Sequence, residues 1–127
     1  MEGKLVNDGV RIAVVDDDES FRIALEGFVR SLGHTALSFA SGEVFMGSAD
    51  AGRFACIISD IQMPGMSGIE MKQRLARKGI DTPVIMVTAR TEPFLRDQAL
   101  AAGAVCVIRK PFDPQDLIDC LDGALRG

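Results

Sequence analysis

Five short apolar runs, each cut off by polar or charged residues, alternate along the chain with stretches of helical periodicity. The first run, Arg11-Ile12-Ala13-Val14-Val15, stops at Asp16-Asp17-Asp18-Glu19, and a continuous apolar run of that length predicts a strand buried on both faces. From Ser20 the spacing changes. Phe21, Leu25, Phe28, Val29 and Leu32 recur at helical intervals and Gly33 supplies the stop. A second strand is predicted from His34 to Ala40, then a short helix opened by Ser41 and fading around Asp50-Ala51-Gly52. The third strand, Ala55 to Ser59, is closed by Asp60, and the turn residues Gln62 to Gly68 lead into a helix from about Gly68 to Lys78. Pro83 opens Val84-Ile85-Met86-Val87, which ends at Thr88, and Pro93 sits as the first-turn proline of a helix running to Gly103. Ala104 to Ile108 form the fifth strand, ending at Arg109-Lys110-Pro111, and Asp113 with Pro114 behind it starts the last helix.

Buried strands alternating with helices predict an α/β domain with a parallel sheet, and right-handed crossovers put helices on both of its faces. The expected architecture is a doubly wound, three-layer domain over residues 11–127, preceded by a flexible segment over residues 1–10.

Composition narrows the functional classes. At 127 residues, 47% hydrophobic and 25% charged, the chain holds one ordinary domain that folds without staples. Its net charge of −4 and lack of a basic stripe exclude nucleic-acid binding by electrostatics alone. The longest apolar runs fall well short of the roughly 20 residues that span a bilayer. The first eight residues carry no apolar signal core, so a cytoplasmic location is expected. Cys56, Cys106 and Cys120 are widely spaced with His34 as the single histidine, so neither zinc nor a disulfide is expected and all three read as reduced small hydrophobes.

In an open parallel sheet the ligand site lies beyond the carboxyl ends of the strands. Strand 1 ends in Asp16 and Asp17, strand 3 in Asp60, strand 4 in Thr88 and strand 5 in Lys110. Carboxylates gathered at one edge repel one another unless a cation sits among them, and an all-oxygen set suits Mg²⁺. A sparse acidic cluster with a nearby lysine suits phosphoryl groups. Each residue also has a plainer reading: Asp16 to Glu19 as a solvated loop and helix cap, Thr88 as a hydroxyl bonding its own backbone, Lys110 as a surface lysine.

Val14-Val15-Asp16-Asp17-Asp18, Ser59-Asp60-Ile61-Gln62-Met63-Pro64-Gly65, Val87-Thr88-Ala89 and Lys110-Pro111-Phe112 together resemble the receiver domain of two-component response regulators. The spacings agree as well: 43 residues from Asp17 to Asp60, 28 on to Thr88 and 22 on to Lys110. The resemblance implies a flavodoxin-like sheet of order 2-1-3-4-5. It implies Asp60 as phosphoacceptor, with Asp16, Asp17, the Asp60 carboxylate and the backbone carbonyl of Gln62 holding Mg²⁺. Lys110, Thr88 and Ala89 would contact the phosphoryl oxygens. An ionised carboxylate needs no general base to act as nucleophile.

His34 precedes strand 2 and is expected at the opposite edge, as a turn residue. The phosphoryl donor is therefore external, and the family implies a histidine kinase or histidine phosphotransfer protein, with small phosphodonors able to substitute. The resemblance further implies hydrolysis of the aspartyl phosphate without another protein's help, so the domain is a signalling unit rather than an enzyme acting on other substrates. Output would run to a partner or a C-terminal helix-turn-helix effector, the kind of parent that the Ser59 to Gly65 and Gly68 to Leu75 stretches look closest to. A homodimer through helix 4, strand 5 and helix 5 is the expected self-association. Because the chain ends at Gly127 directly after the last helix, we expect either a single-domain regulator or a receiver of a longer parent.

One position departs from the family. Receivers usually carry an aromatic residue three before the strand 5 lysine, whose inward rotation is coupled to the hydroxyl at the Thr88 position. Here that residue is Val107, which has no ring to swing. The plainer reading makes Val107 a core residue, with the position of helix 4 or dimerisation carrying the switch. Gln62 and Arg90 occupy positions that in the family tune how fast the phosphoryl group is lost. Val107 also motivates an alternative, a receiver-like interaction scaffold that acts independently of phosphorylation. A nucleotide or flavin binder on the same fold would want glycines after strand 1, where acids stand instead.

Overall fold

The computed structural model describes residues 9–48 and 51–126. It contains β1 (Arg11–Val15), α1 (Glu19–Ser31), β2 (Thr35–Phe39), α2 (Gly42–Met46), a 3₁₀ turn at Ala51–Arg53, β3 (Cys56–Asp60), α3 (Gly68–Arg77), β4 (Val84–Thr88), α4 (Pro93–Ala101), β5 (Cys106–Arg109) and α5 (Pro114–Arg126). All strand pairs are parallel and the sheet order is β2-β1-β3-β4-β5. This is the expected doubly wound fold.

Alternation along each strand sorts its side chains between two cores. Ala13, Val15, Ile57 and Met86 pack with Phe45, Met71, Leu75, Leu95 and Ala99, the layer under α2, α3 and α4. Ile12, Val14, Ile58, Ile85 and Val87 pack with Leu25, Val29, Leu117 and Leu121 beneath α1 and α5. Both faces being covered is why the strands read as unbroken apolar runs.

Local chemistry fixes most element starts. Asp18 caps α1 by accepting from Phe21 N–H, Ser41 caps α2, Ser67 caps α3 and Asp113 accepts from Gln115 N–H at the start of α5. Helix 1 thus begins at Glu19, one residue earlier than the apolar period predicts. Strand 5 lies later than expected, at Cys106–Arg109 rather than Ala104 to Ile108, so Lys110 follows it directly. Of the segment expected to be flexible, residues 1–8 lie outside the described residues, as does Asp50. Val10 is tied to the start of β2, its N–H donating to Nδ1 of His34 and its carbonyl accepting from Thr35 N–H. His34 therefore sits at the edge opposite the strand ends.

The cysteines require a correction. Cys106 on β5 and Cys120 on α5 pair as a disulfide with Cα atoms 6.4 Å apart. Their separation of 14 residues carries no motif in sequence, but the tight β5–α5 connection folds the helix back over its own strand. Cys56 is free and buried, and burial pushes its thiol up to about 12. Among the described residues no helix is long and apolar enough to cross a membrane.

Candidate functional site

Strand register brings the polar ends together. Val15 pairs with Ser59, Asp60 with Val87 and Thr88 with Arg109, so Asp16, Asp60 and Lys110 leave the sheet at one edge. Asp60 is itself the last residue of β3, which extends one position further than the apolar run.

Asp16, Asp17 and Asp60 each place a carboxylate oxygen within 4.8 Å of the others. Asp16 is 1% and Asp60 9% exposed, while Asp17 faces solvent. Lys110 closes the group: its Nζ donates to Oδ2 of Asp16 at 3.0 Å and to Oδ2 of Asp60 at 3.3 Å. One ammonium among three acids leaves an excess of negative charge. The oxygen-only donor set, partly open to solvent through Asp17, fits a hard divalent cation such as Mg²⁺.

Backbone contacts preset these side chains. Oδ1 of Asp16 accepts from Asp18 N–H at 2.9 Å, Oδ1 of Asp60 accepts from Gln62 N–H at 3.2 Å, and the guanidinium of Arg22 donates to the Asp16 carbonyl at 2.8 Å. Burial raises the Asp60 carboxyl above its ordinary value, Lys110 opposes the rise and Asp16 adds to it. Burial draws Lys110 down, but the hydrogen bond to Asp16 and the attraction of both acids carry it above its usual value. Both partners therefore shift upward. For the acid this means that an ammonium shared with Asp16 does not make up for lost water.

The remaining sequence candidates lie around this centre. Thr88 is buried at the end of β4, and its Oγ1 accepts from Arg90 N–H at 3.0 Å, the plainer role foreseen for it. Ala89 is exposed just beyond. Arg90 is clasped by Glu92, with Nη2 to Oε2 at 2.6 Å, and its Nη1 donates to Oε1 of Gln62 at 3.0 Å. Gln62, Arg90 and Glu92 thus form an exposed polar string between the β3–α3 and β4–α4 loops. Val107 is half-buried against the core, and its carbonyl accepts from Arg96 at 3.3 Å. Beside it a cavity of about 250 Å³ is lined by Thr88, Pro93, Arg96, Val107 and Arg109 among others.

Three supporting residues escape the sequence pattern. A Cβ on Gly68 would run into the Asp60 carbonyl oxygen and lie 3.1 Å from Ser59 Oγ, so only glycine lets α3 start this close to the end of β3. Its N–H also donates to the Ile61 carbonyl at 2.9 Å. Glu43 of α2 accepts from Met66 N–H at 2.8 Å and pins the same loop. Phe21 of α1 presents its ring to Lys110. Glycine crowding after the Ser67 cap was the one readable signal; the other two contacts are long-range.

The response regulator receiver domain family matches over residues 12–122. Response regulator protein TodT of Pseudomonas putida is 32% identical over 115 residues, 91% of this chain and 51% of that protein. Transcriptional regulatory protein FixJ of Bradyrhizobium diazoefficiens is 30% identical over 91% of this chain and 56% of its own length. The chain spans about half the length of these curated relatives. Among solved structures, FixJ-N superimposes with a TM-score of 0.86 at 29% identity, covering 94% of this chain and 95% of that one. Chemotaxis protein CheY4 of Vibrio cholerae gives 0.83 at 30% identity over 92% and 99%. With an acidic cluster, a strand-end lysine and a family match over most of its length, the chain belongs to the response regulator receiver domain family.

Proposed function

We propose that Asp60 accepts a phosphoryl group and that this modification sets the signalling state of the domain. The observation that carries it is a single ammonium, Lys110, bonded to both Asp16 and Asp60 beside Asp17. An Asp60 carboxylate oxygen attacks phosphorus, the bond from phosphorus to the donor nitrogen or oxygen breaks, and the donor leaves with that electron pair. Lys110 exchanges its Asp60 contact for the transferred oxygens and offsets their charge. Thr88 and Ala89, at the end of β4, are the remaining phosphoryl contacts. Asp16, Asp17, Asp60 and the Gln62 carbonyl would hold Mg²⁺, which when bound neutralises charge on the transferring group. In a second step water attacks phosphorus, the bond from phosphorus to the Asp60 oxygen breaks, and inorganic phosphate leaves with the oxygen and protons of that water while Asp60 returns to the carboxylate.

The donor is a histidine kinase or histidine phosphotransfer protein, since His34 lies at the far edge and cannot serve. Location is cytoplasmic, and output goes to a partner or to an effector domain in a longer parent, through the α4, β5 and α5 face or a homodimer formed there. The string Gln62, Arg90, Glu92 controls access of water to the phosphoryl group. A phosphorylation-independent scaffold is supported by Val107 alone.

Intact mass after incubation with acetyl phosphate tests the proposal. We expect a Mg²⁺-dependent gain of one phosphoryl group that Asp60→Asn abolishes. An equal gain in the variant, or none with either the small donor or a kinase, contradicts it.

A further inference from the structure

We propose that Phe21, in the first turn of α1, is a positioning residue for Lys110, its ring face holding the ammonium on the two acids. The inference deepens the phosphoryl-transfer reading and rests on it. Nζ of Lys110 lies 4.0 Å from the centroid of the Phe21 ring, well within the roughly 6 Å over which a cation is attracted to an aromatic face. Two sides of the ammonium are taken by Asp16 and Asp60. The ring covers another without competing as a hydrogen-bond acceptor. A lysine stem is flexible and its ammonium strongly hydrated, so an apolar face with negative quadrupole keeps the charge aimed at the site in place of water.

The ring is itself fixed from both sides. Phe21 N–H is held by the Asp18 cap at 3.2 Å, and the next residue, Arg22, grips the Asp16 carbonyl. Phe112 meets the ring edge to face, with centroids 6.0 Å apart at 88°. Phe112 stands two residues after Lys110, so the segment that carries the lysine also braces its partner. Leucine would fill much of the same space without the charge-binding face.

The test uses acetyl phosphate and Mg²⁺, so that recognition of a protein donor does not enter the readout. We expect Phe21→Leu to lower the phosphorylation rate about tenfold and Phe21→Tyr to stay within about twofold. Replacing Phe21 with mono-, di- and trifluorophenylalanine, which keep the shape and withdraw electrons from the face, should lower the rate in steps. As an independent readout in the unphosphorylated protein, the ε-methylene protons of Lys110 should resonate upfield through the ring current and return to ordinary values in Phe21→Leu. A flat rate across the fluorinated series, or a Lys110 resonance that Phe21→Leu does not move, overturns the inference. Failure of the wild-type protein to take up phosphate instead overturns the underlying reading, and the NMR comparison then decides on Phe21 alone.

Discussion

The edge formed by the ends of β1, β3 and β5 and the side formed by α4 with β5 are built to different standards. At the first, Asp16 is bonded through its carbonyl and both carboxylate oxygens, and Asp60 through both of its own. At the second, α4 follows Glu92 with no side-chain cap and has neither an acid in its first turn nor a base in its last. Among the described residues the other four α-helices each have a side-chain bond at their start. Beside α4 lies the cavity next to Val107, crossed by one exposed Arg96 contact. The contrast teaches that the acidic edge is over-determined by hydrogen bonds, while the start of α4 is held by few. A region with few anchoring contacts is where a small change at the site moves a population.

The contrast breaks most sharply at Lys110. Lys110→Met should slow phosphorylation by acetyl phosphate about 10²- to 10³-fold, the loss typical of one preorganised charge partner, while far-ultraviolet circular dichroism stays unchanged. Gly68→Ala sets a methyl against the Asp60 carbonyl, and should lower unfolding stability by about 2–3 kcal/mol in urea titration.

Asp60→Asn should stabilise the metal-free protein, by about 1–2 kcal/mol near neutral pH, because it removes a buried charge beside Asp16. The sign follows from the raised carboxyl. Its favourable contribution is complete below the unfolded-state value and is lost as pH rises through the folded-state value. The difference between variant and wild type should therefore shrink in acid and widen toward neutrality. Added Mg²⁺ should narrow it by binding the wild-type acids.

Ser67→Ala, which removes the α3 cap, should cost about 1 kcal/mol, and amide exchange should find α4 opening before the other multi-turn helices. The smallest effect is expected from Val107→Phe. It should leave the phosphorylation rate within about twofold and stability within about 1 kcal/mol, because the ring enters a cavity already present. Any change it makes should appear in phosphorylation-dependent exchange over Pro93–Ala101.

Sequence legibility follows the range of the interactions. The strands and their polar ends were readable because burial on both faces imposes unbroken apolar runs, and the chain must turn polar where it leaves the sheet. Caps at Ser41 and Asp113 were readable for the same local reason. The start of α1 is displaced by one residue because four consecutive polar residues, Asp16 to Glu19, all suit a helix cap in sequence, and only the structure singles out Asp18 as the one that accepts from Phe21 N–H. Contacts spanning many residues left no local trace. The Phe21 ring over Lys110, Glu43 on Met66 N–H and the Cys106–Cys120 pair emerge only when the crossovers fold back. Val107 was conspicuous only against the family pattern; the space beside it is a property of packing.

Reductive trapping with borohydride after phosphorylation, followed by peptide mass mapping, tests the central claim most directly, because it converts an aspartyl phosphate to homoserine at the residue that carried it. Homoserine is expected at position 60 only, dependent on both phosphodonor and Mg²⁺. Homoserine at Asp16 or Asp17, or at no position despite a phosphoryl adduct, would contradict it.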